Sequence, residues 1–281
     1  MSFFINNTEP SEAYFNGSEV STIYYNGTLI WKANKFDWGD ETAIGDSAWW
    51  LALKEWAVST TAAERKACVG KTKKMSLSTA VLEANAFTMR CIAADEDGEG
   101  TLTFDSAYLA PDTTKFGSSA VWVNSALRNT YCANIYNYCS AKSAIKTVKK
   151  GTCSNYSSSS RNGTVTYNNE TVFVLSEREL GLNANAPISA ANSTTTNAEC
   201  TQGYNAAYSY FKDNASRKKP LGDANGDATT NTYNWDYPTR SRHCTSANSK
   251  KVLTIVNQTG VESNTTYSSN VLKLAPAFVI G

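Results

Sequence analysis

A chain of 281 residues with 41% hydrophobic content is long enough to bury a sizeable core, as one large domain or two small ones. Its 26 basic and 25 acidic residues nearly cancel, so the composition offers no positive excess of the kind that nucleic acid or an anionic membrane attracts. Recognition must therefore come from shape and neutral polar groups. The abundance of Asn, Ser, Thr and Tyr over Lys, Glu and Leu disfavours a helical protein and suits strands, turns and long ordered loops. The same residues make adaptable binding surfaces, the aromatics giving rigid contact area and the small polar groups giving hydrogen bonds.

Met1 to Asn7 carry no basic segment leading into an apolar run, and no window approaches the roughly 18 apolar residues of a membrane span. A soluble protein made in a cytoplasm, without membrane insertion, is the expectation. Next comes a near-repeat, Tyr14-Phe15-Asn16-Gly17-Ser18-Glu19-Val20 and Tyr24-Tyr25-Asn26-Gly27-Thr28-Leu29-Ile30. An Asn-Gly between β-formers supplies the two left-handed residues of a tight type I′ turn, which predicts a small β meander. Such a unit is too small to stand alone. Residues 1–33 therefore read as a β-hairpin attachment module that packs on a partner, on sister subunits or on the main domain, residues 34–281. The segment resembles the short N-terminal modules of phage tail and baseplate-associated proteins.

Beyond Lys32 the texture changes. Ser47 to Val58 reads as a helix with Asp46 as N-cap and Trp49, Leu53 and Trp56 on the core-facing side. Thr61-Ala62-Ala63-Glu64 is a capping box that starts a second helix. Residues 73–94 read as strands, Asp95 to Gly100 as an acidic turn, and Ser118 to Cys139 as one interrupted helix or two short ones. A strand follows at Thr171 to Leu175, closed by Ser176-Glu177-Arg178-Glu179. From Leu180 to Asn234 patterning is sparse apart from a short helix predicted within Tyr204 to Lys212. A loop region of that length in a compact domain is usually functional. Strands return at Lys251 to Val256 and within Val271 to Ile280, the latter apolar enough to be central to the core.

Few residues carry chemistry. The seven cysteines, at 68, 91, 132, 139, 153, 200 and 244, are an odd number spread over a long chain, and most read as buried thiols. Cys132 and Cys139 lie seven apart and no C-x-x-C occurs, which disfavours zinc. The single histidine, His243, adjoins Cys244, but adjacency in sequence does not set a base against a nucleophile, and no third group supports a Cys-His pair. Asp223, Asn225 and Asp227 place oxygens at alternate positions, as a calcium loop does. Ala228 stands where such loops need Gly and Asn234 where they need a bidentate carboxylate, so the segment reads first as a turn, with calcium as the alternative and no other cofactor expected. Arg128 and Arg240 read as structural, tying loop carbonyls with their five donors, with Glu177 and Glu179 as partners for such groups.

Read together, Trp122-Val123-Asn124-Ser125-Ala126-Leu127-Arg128, Val172 to Leu180, Tyr208-Ser209-Tyr210-Phe211, Thr239-Arg240-Ser241 and Pro276-Ala277-Phe278-Val279-Ile280 form one ordered pattern. It resembles a family of domains in phage and Firmicutes surface proteins with W-x-x-S-x-L-R, S-x-x-E, Y-x-Y-F, W-x-R-S and R-P-A-F-x-I landmarks. Two positions depart from that pattern, with Trp235 displaced from Arg240-Ser241 and Ala275 before Pro276. The resemblance covers residues 36–281 and implies an α+β, C-type-lectin-like fold of mixed and antiparallel strands, a few helices and long ordered loops. It implies a non-enzymatic, tail-associated virion protein, assembled in the host cytoplasm, that binds a host cell-surface glycan or protein. Other tail proteins are its expected partners through residues 1–33, in a homo-oligomer such as a trimer. In lectin-like receptor binders the late strands and loops recognise the target, which implicates Tyr233, Asn234, Trp235, Asp236, Tyr237, Arg242, His243, Asn248, Asn264 and Tyr267. A structural baseplate or decoration protein is the alternative, and an enzyme related to formylglycine-generating enzymes is another.

Overall fold

Asp46 opens the first helix of the main body. In the computed structural model its Oδ1 accepts the Trp49 N–H at 2.8 Å, and the helix α1 runs from Ser47 to Ser59. The structure describes residues 13–15, 18–20, 22–25, 28–32, 35–156, 163–182, 207–229, 233–242 and 251–281, with the side chains of 13–32, 153–165, 242, 251, 253 and 261–267 excepted. Trp50, Leu53, Trp56 and Ala57 are the buried face of α1. The predicted stripe is thus turned by one residue at its start, because Trp50, rather than the half-buried Trp49, enters the centre of the core. Trp50 meets Phe104 and Phe278 edge-on, at 5.4 and 5.7 Å between ring centroids, and those two rings stack on each other at 5.5 Å. The short helix α2 (Ala62–Lys66) carries the predicted capping box, Thr61 with Glu64.

Ahead of α1, β1 (Ala13–Phe15) pairs β2 (Ser18–Val20), and β3 (Thr22–Tyr25) pairs β4 (Thr28–Lys32). Phe15 lies opposite Ser18 and Tyr25 opposite Thr28, so each Asn-Gly falls in a two-residue connection. The hairpins are separate two-stranded sheets, whereas the repeat predicted a meander.

The main sheet has seven strands: β5 (Ile44–Gly45), β6 (Thr72–Val81), β7 (Ala84–Ala94), β8 (Leu102–Ser106), β10 (Ile145–Lys146), β13 (Val172–Phe173) and β18 (Ala277–Ile280). The order is β10-β18-β8-β7-β6-β5, with β13 also pairing β18. Every pairing is antiparallel except β5 with β6. Inward alternation on β6 gives buried Met75 and Leu77, and β18 is buried at every position. A strand without alternation is covered on both faces, which is why Phe278 and its neighbours read as core from sequence. One hydrophobic cluster runs from Trp38 to Ile280.

The β6–β7 hairpin turns on Leu82 and Glu83, at φ 51° and 60°. This is left-handed geometry at both central positions, without the Asn-Gly that normally supplies it. The region predicted as an interrupted helix is a 3₁₀ turn at Trp122–Asn124, a π-helical stretch at Leu127–Cys132 and α3 (Ala133–Tyr138). Over the described part of the predicted helix at 204–212, residues 207–212 form a turn between irregular stretches instead. Tyr208 and Phe211 are buried by tertiary contacts there, not by helical periodicity.

Around this body lie three satellite sheets. They are the hairpin of β11 (Val148–Tyr156) with β12 (Gly163–Glu170), the pair of β9 (Thr113–Lys115) with β17 (Val271–Lys273), and a three-stranded sheet. The last contains β14 (Tyr237–Arg242), β15 (Lys251–Val256) and β16 (Val261–Tyr267). The result is a mixed α+β protein with mostly strands and few helices. No helix among the described residues is long and apolar enough to cross a membrane.

Candidate recognition site

The landmark segments meet in space and hold one another. After β13 the chain turns so that Ser176 and Glu179 cap each other: Glu179 Oε2 accepts the Ser176 N–H at 2.8 Å, and Ser176 Oγ accepts the Glu179 N–H at 3.2 Å. The fully buried Glu179 carboxylate then pairs with Arg240 from β14 and, at 2.9 Å, with Lys150 from β11. The Tyr208 hydroxyl accepts from Lys150 Nζ at 2.5 Å and lies 2.8 Å from Asp97 Oδ2 and 3.1 Å from Glu179 Oε1, the two carboxylate oxygens that share its one proton. Asp97 also pairs with Lys150. Burial alone would raise the Glu179 pKa, but Arg240, Lys150 and the hydrogen bonds outweigh it and hold the carboxyl at about 2. Arg240 also donates to the Val174 carbonyl at 2.8 Å, and its own amide to that of Leu175 at 3.0 Å. A second knot joins Trp122 Nε1 and Arg128 Nε to Glu170, at 3.0 and 2.9 Å. Arg128 and Arg240 therefore act as the loop-tying residues expected of them, and Glu179 as a partner.

Sequence reasoning missed the other members. Lys150, Asp97 and Glu170 carry no motif, and Arg217, which ties the carbonyls of Gly260 at 2.8 Å and Leu180 at 3.1 Å, sits in a stretch that looked like loop. Lys219 is a further case, buried in an ion pair with Asp105.

The Asp223–Asp227 segment packs on β7. Its Gly226, at φ +75°, lies so close that a Cβ would come within 2.9 Å of the Ala86 carbonyl oxygen. Asp223 Oδ1 accepts the amides of Asn225 at 2.8 Å and Asp227 at 3.0 Å, while Asp227 Oδ2 pairs with Lys74 at 2.7 Å. Both carboxylates are thus engaged in a turn and an ion pair. Among the described residues no group of three His, Cys, Asp or Glu is placed to hold a metal ion. The geometry is that of an Asp/Asn/Gly turn.

The late polar residues separate into two groups. Trp235 is 41% exposed, with Lys273 Nζ 5.2 Å from its ring centroid. Beside it in the chain, the half-buried Tyr233 faces Lys218 Nζ at 5.7 Å, and Asn234 is exposed. Asp236 is half-buried; burial raises its pKa, against a hydrogen bond from the Asn257 amide. Tyr237 departs from the expected surface. It is only 3% exposed, its hydroxyl donates to the Arg217 carbonyl at 2.5 Å and its ring faces Lys219, so it is a core residue. Tyr237 opens β14, whose residues 237–241 are all buried, whereas Trp235 lies in the loop before the strand.

At the far end of β14, Arg242 pairs with Val252, which in turn pairs with Thr266 beside Tyr267. Five residues of strand put that end about 17 Å from Tyr237. Tyr267 therefore lies at the same end of the sheet as Arg242 but on the opposite edge strand, with β15 between them, and Asn264 lies within the same strand β16. The side chains of Arg242, Asn264 and Tyr267, and the residues His243 and Asn248, lie outside what the structure describes. Of the expected set, the structure brings together Tyr233, Asn234, Trp235 and Asp236.

The described cysteines Cys68, Cys91, Cys132 and Cys139 are all buried free thiols. Burial raises each pKa, to about 11 for Cys68 and Cys139 and further for Cys91 and Cys132. None is a thiolate near neutrality, so none is a poised nucleophile.

Fold and site define a mixed α+β domain whose polar motifs are buried as structure and whose late loops expose an aromatic patch. Residues 100–281 match the family described as Domain of unknown function (DUF6273), and the chain belongs to that family. That span omits β5, β6 and β7, which complete the same sheet. Comparison with curated proteins found no match. Comparison with solved structures found none either.

Proposed function

We propose that this chain is a non-catalytic recognition protein with a C-type-lectin-like architecture, carried on a phage virion by its N-terminal hairpins and binding a host cell-surface glycan or protein. The observation that carries this reading is Trp235. It is the one exposed tryptophan among those whose side chains are described, and it stands on a frame tied by the Glu179 and Arg217 networks. A rigid exposed aromatic flanked by Tyr233, Asn234 and two lysines gives stacking area and hydrogen bonding at little entropic cost. Buried unreactive thiols and carboxylates held in ion pairs favour binding over chemistry. Several copies on one particle would compensate for a weak single site.

The test is saturable binding of fluorescently labelled full-length protein to candidate host cells. The comparison is a Tyr233→Ala, Trp235→Ala variant, which leaves the core untouched. Loss of binding in the folded variant supports the reading; unchanged binding refutes it for this patch. A second reading, a structural component of the virion, draws on Ile44, Leu51 and Val58, large apolar residues exposed on and beside the outer face of α1. Protein that incorporates into particles yet binds no host cell would favour that reading.

A further inference from the structure

The ribbon of β9 and β17 presents an outer face beside Trp235. Leu272 and Thr114 are buried on its inner side, so Val271 and Lys273 of β17 share the outer face with Lys115 and Thr113, their partners across the pair. Val271 is 49% exposed. Lys273 is covered because Trp235 lies over it: its Nζ donates to the Pro111 carbonyl and stands 5.2 Å from the Trp235 ring centroid. The lysine holds one side of the indole, and 41% of Trp235 remains exposed. Two backbone bonds gather further groups at this end of the ribbon. Lys273 N donates to the Asp236 carbonyl at 3.3 Å, and Asp112, next to β9, donates its amide to the Leu82 carbonyl at 3.1 Å. The second bond brings in the β6–β7 turn and, with it, the exposed Glu83. Burial lowers the Lys273 pKa, and the Asp112 and Glu83 carboxylates, both near its ammonium, oppose that shift.

We infer that this end of the ribbon is the sugar-binding part of the recognition face, that its ligand is a neutral glycan, and that Glu83 sets its specificity. Trp235 stacks on the apolar C–H face of a sugar ring, and the Glu83 carboxylate accepts from hydroxyls at the rim of that ring. The strained turn singles out Glu83. Leu82 and Glu83 stand at φ 51° and 60°, where Asn-Gly would sit without strain, and what a glutamate adds to that position is an exposed carboxylate. Charge argues for a neutral ligand. Lys115 and Lys273 on the face are matched by Asp112 and Glu83 at its end, so neither an acidic nor a basic ligand gains net attraction. A protein partner would need a broad apolar centre, and Trp235 and Val271 are the only large exposed apolar residues described on this face. The inference rests on the recognition function proposed above and names the ligand class of that site.

The experiment is binding of labelled full-length protein to candidate host cells at low and high ionic strength. It is repeated on cells treated with periodate, which cleaves the vicinal diols of sugars, and on cells treated with protease. The expected result is binding that periodate abolishes, that protease spares and that salt leaves unchanged. Glu83→Gly should weaken it by about tenfold or more, the loss of a hydrogen bond to a charged group, without lowering the unfolding midpoint, because the change relieves strain. Glu83→Gln, which keeps an acceptor, should lose less. A Glu83→Gly variant that binds like the native chain, while Tyr233→Ala with Trp235→Ala does not, overturns the role of Glu83 and leaves the recognition function standing. Binding lost to protease and kept after periodate replaces the glycan with a protein receptor, and a steep fall with salt overturns the neutral ligand. If the native chain binds no cell, the recognition function itself fails and this inference with it.

Discussion

Replacing Glu179 by Gln should cost about 3–5 kcal/mol, because the change leaves two buried cations short of their shared anion. Lys150 and Arg240 both pair with Glu179, and all three side chains are no more than 2% exposed. Removing one partner of a buried ionic cluster costs about that much, since the remaining charge stays desolvated. An independent route gives a similar size. The carboxyl is held at about 2 against an ordinary value of 4.5, which corresponds to about 3 kcal/mol of pH-dependent stability. Because the folded pKa is depressed, this stability is fully present above the unfolded value near 4.5 and is lost as pH falls through about 2. Urea unfolding of the native chain and of Glu179→Gln, followed by tryptophan fluorescence at pH 7 and at intervals down to pH 2.5, measures both effects. The gap between the two proteins should be wide at pH 7 and should narrow steadily below about pH 4.5. A gap under about 1 kcal/mol at pH 7, or one that does not change with pH, would show that the cluster is not held by the Glu179 charge.

The buried pair of Lys219 and Asp105 invites a double-mutant cycle. Lys219→Met alone should cost about 3–5 kcal/mol, while Lys219→Met with Asp105→Asn should recover most of it; additive losses in chemical denaturation would argue against the pairing. At the β6–β7 turn, Glu83→Gly should raise stability by up to about 1 kcal/mol, as relief of left-handed strain outweighs the entropy of the added glycine. A fall in the denaturation midpoint would show that the exposed Glu83 side chain has a role of its own. Thiol labelling of the native protein at neutral pH, mapped by peptide mass spectrometry, should spare Cys68, Cys91, Cys132 and Cys139. Rapid modification of any of the four would mean that the core opens around it.

Local chemistry was legible, and long-range chemistry was not. Asp46 as N-cap and Thr61 with Glu64 as capping box each depend on residues within four positions. Their geometry follows from the backbone alone. Arg240 and Glu179 stand 61 residues apart, and Tyr208 and Asp97 111 apart. The ordered landmarks named Arg240, Glu179 and Tyr208 as members of one pattern but could not say that Asp97 and Lys150 would join them. Trp49 and Trp50 illustrate a different limit, since two adjacent tryptophans fit a helical stripe almost equally and the aromatic pair Phe104 and Phe278 decides between them. Tyr237 looked like surface because it belongs to an aromatic, Asn-rich run. Tyr237 begins β14, paired with Ile255 and buried, while Trp235 precedes the strand and stays exposed. The Leu82-Glu83 turn carried no signal, because tertiary packing supplies there what glycine usually supplies.

The position of β18 sets the order in which the molecule can be made. It lies between β8 on one side and β10 with β13 on the other, yet about 170 residues of chain separate it from β8. A ribosome adding roughly 5–20 residues per second needs about 10–30 s to cover that distance. Throughout that interval β8 presents an unpaired edge, with Phe104 lacking the Phe278 ring that stacks on it. The nascent half-sheet of β5 to β8 is therefore an open template for any neighbouring strand. Crowding many copies on one messenger RNA would raise the hazard of chains pairing with each other before each can close its own sheet.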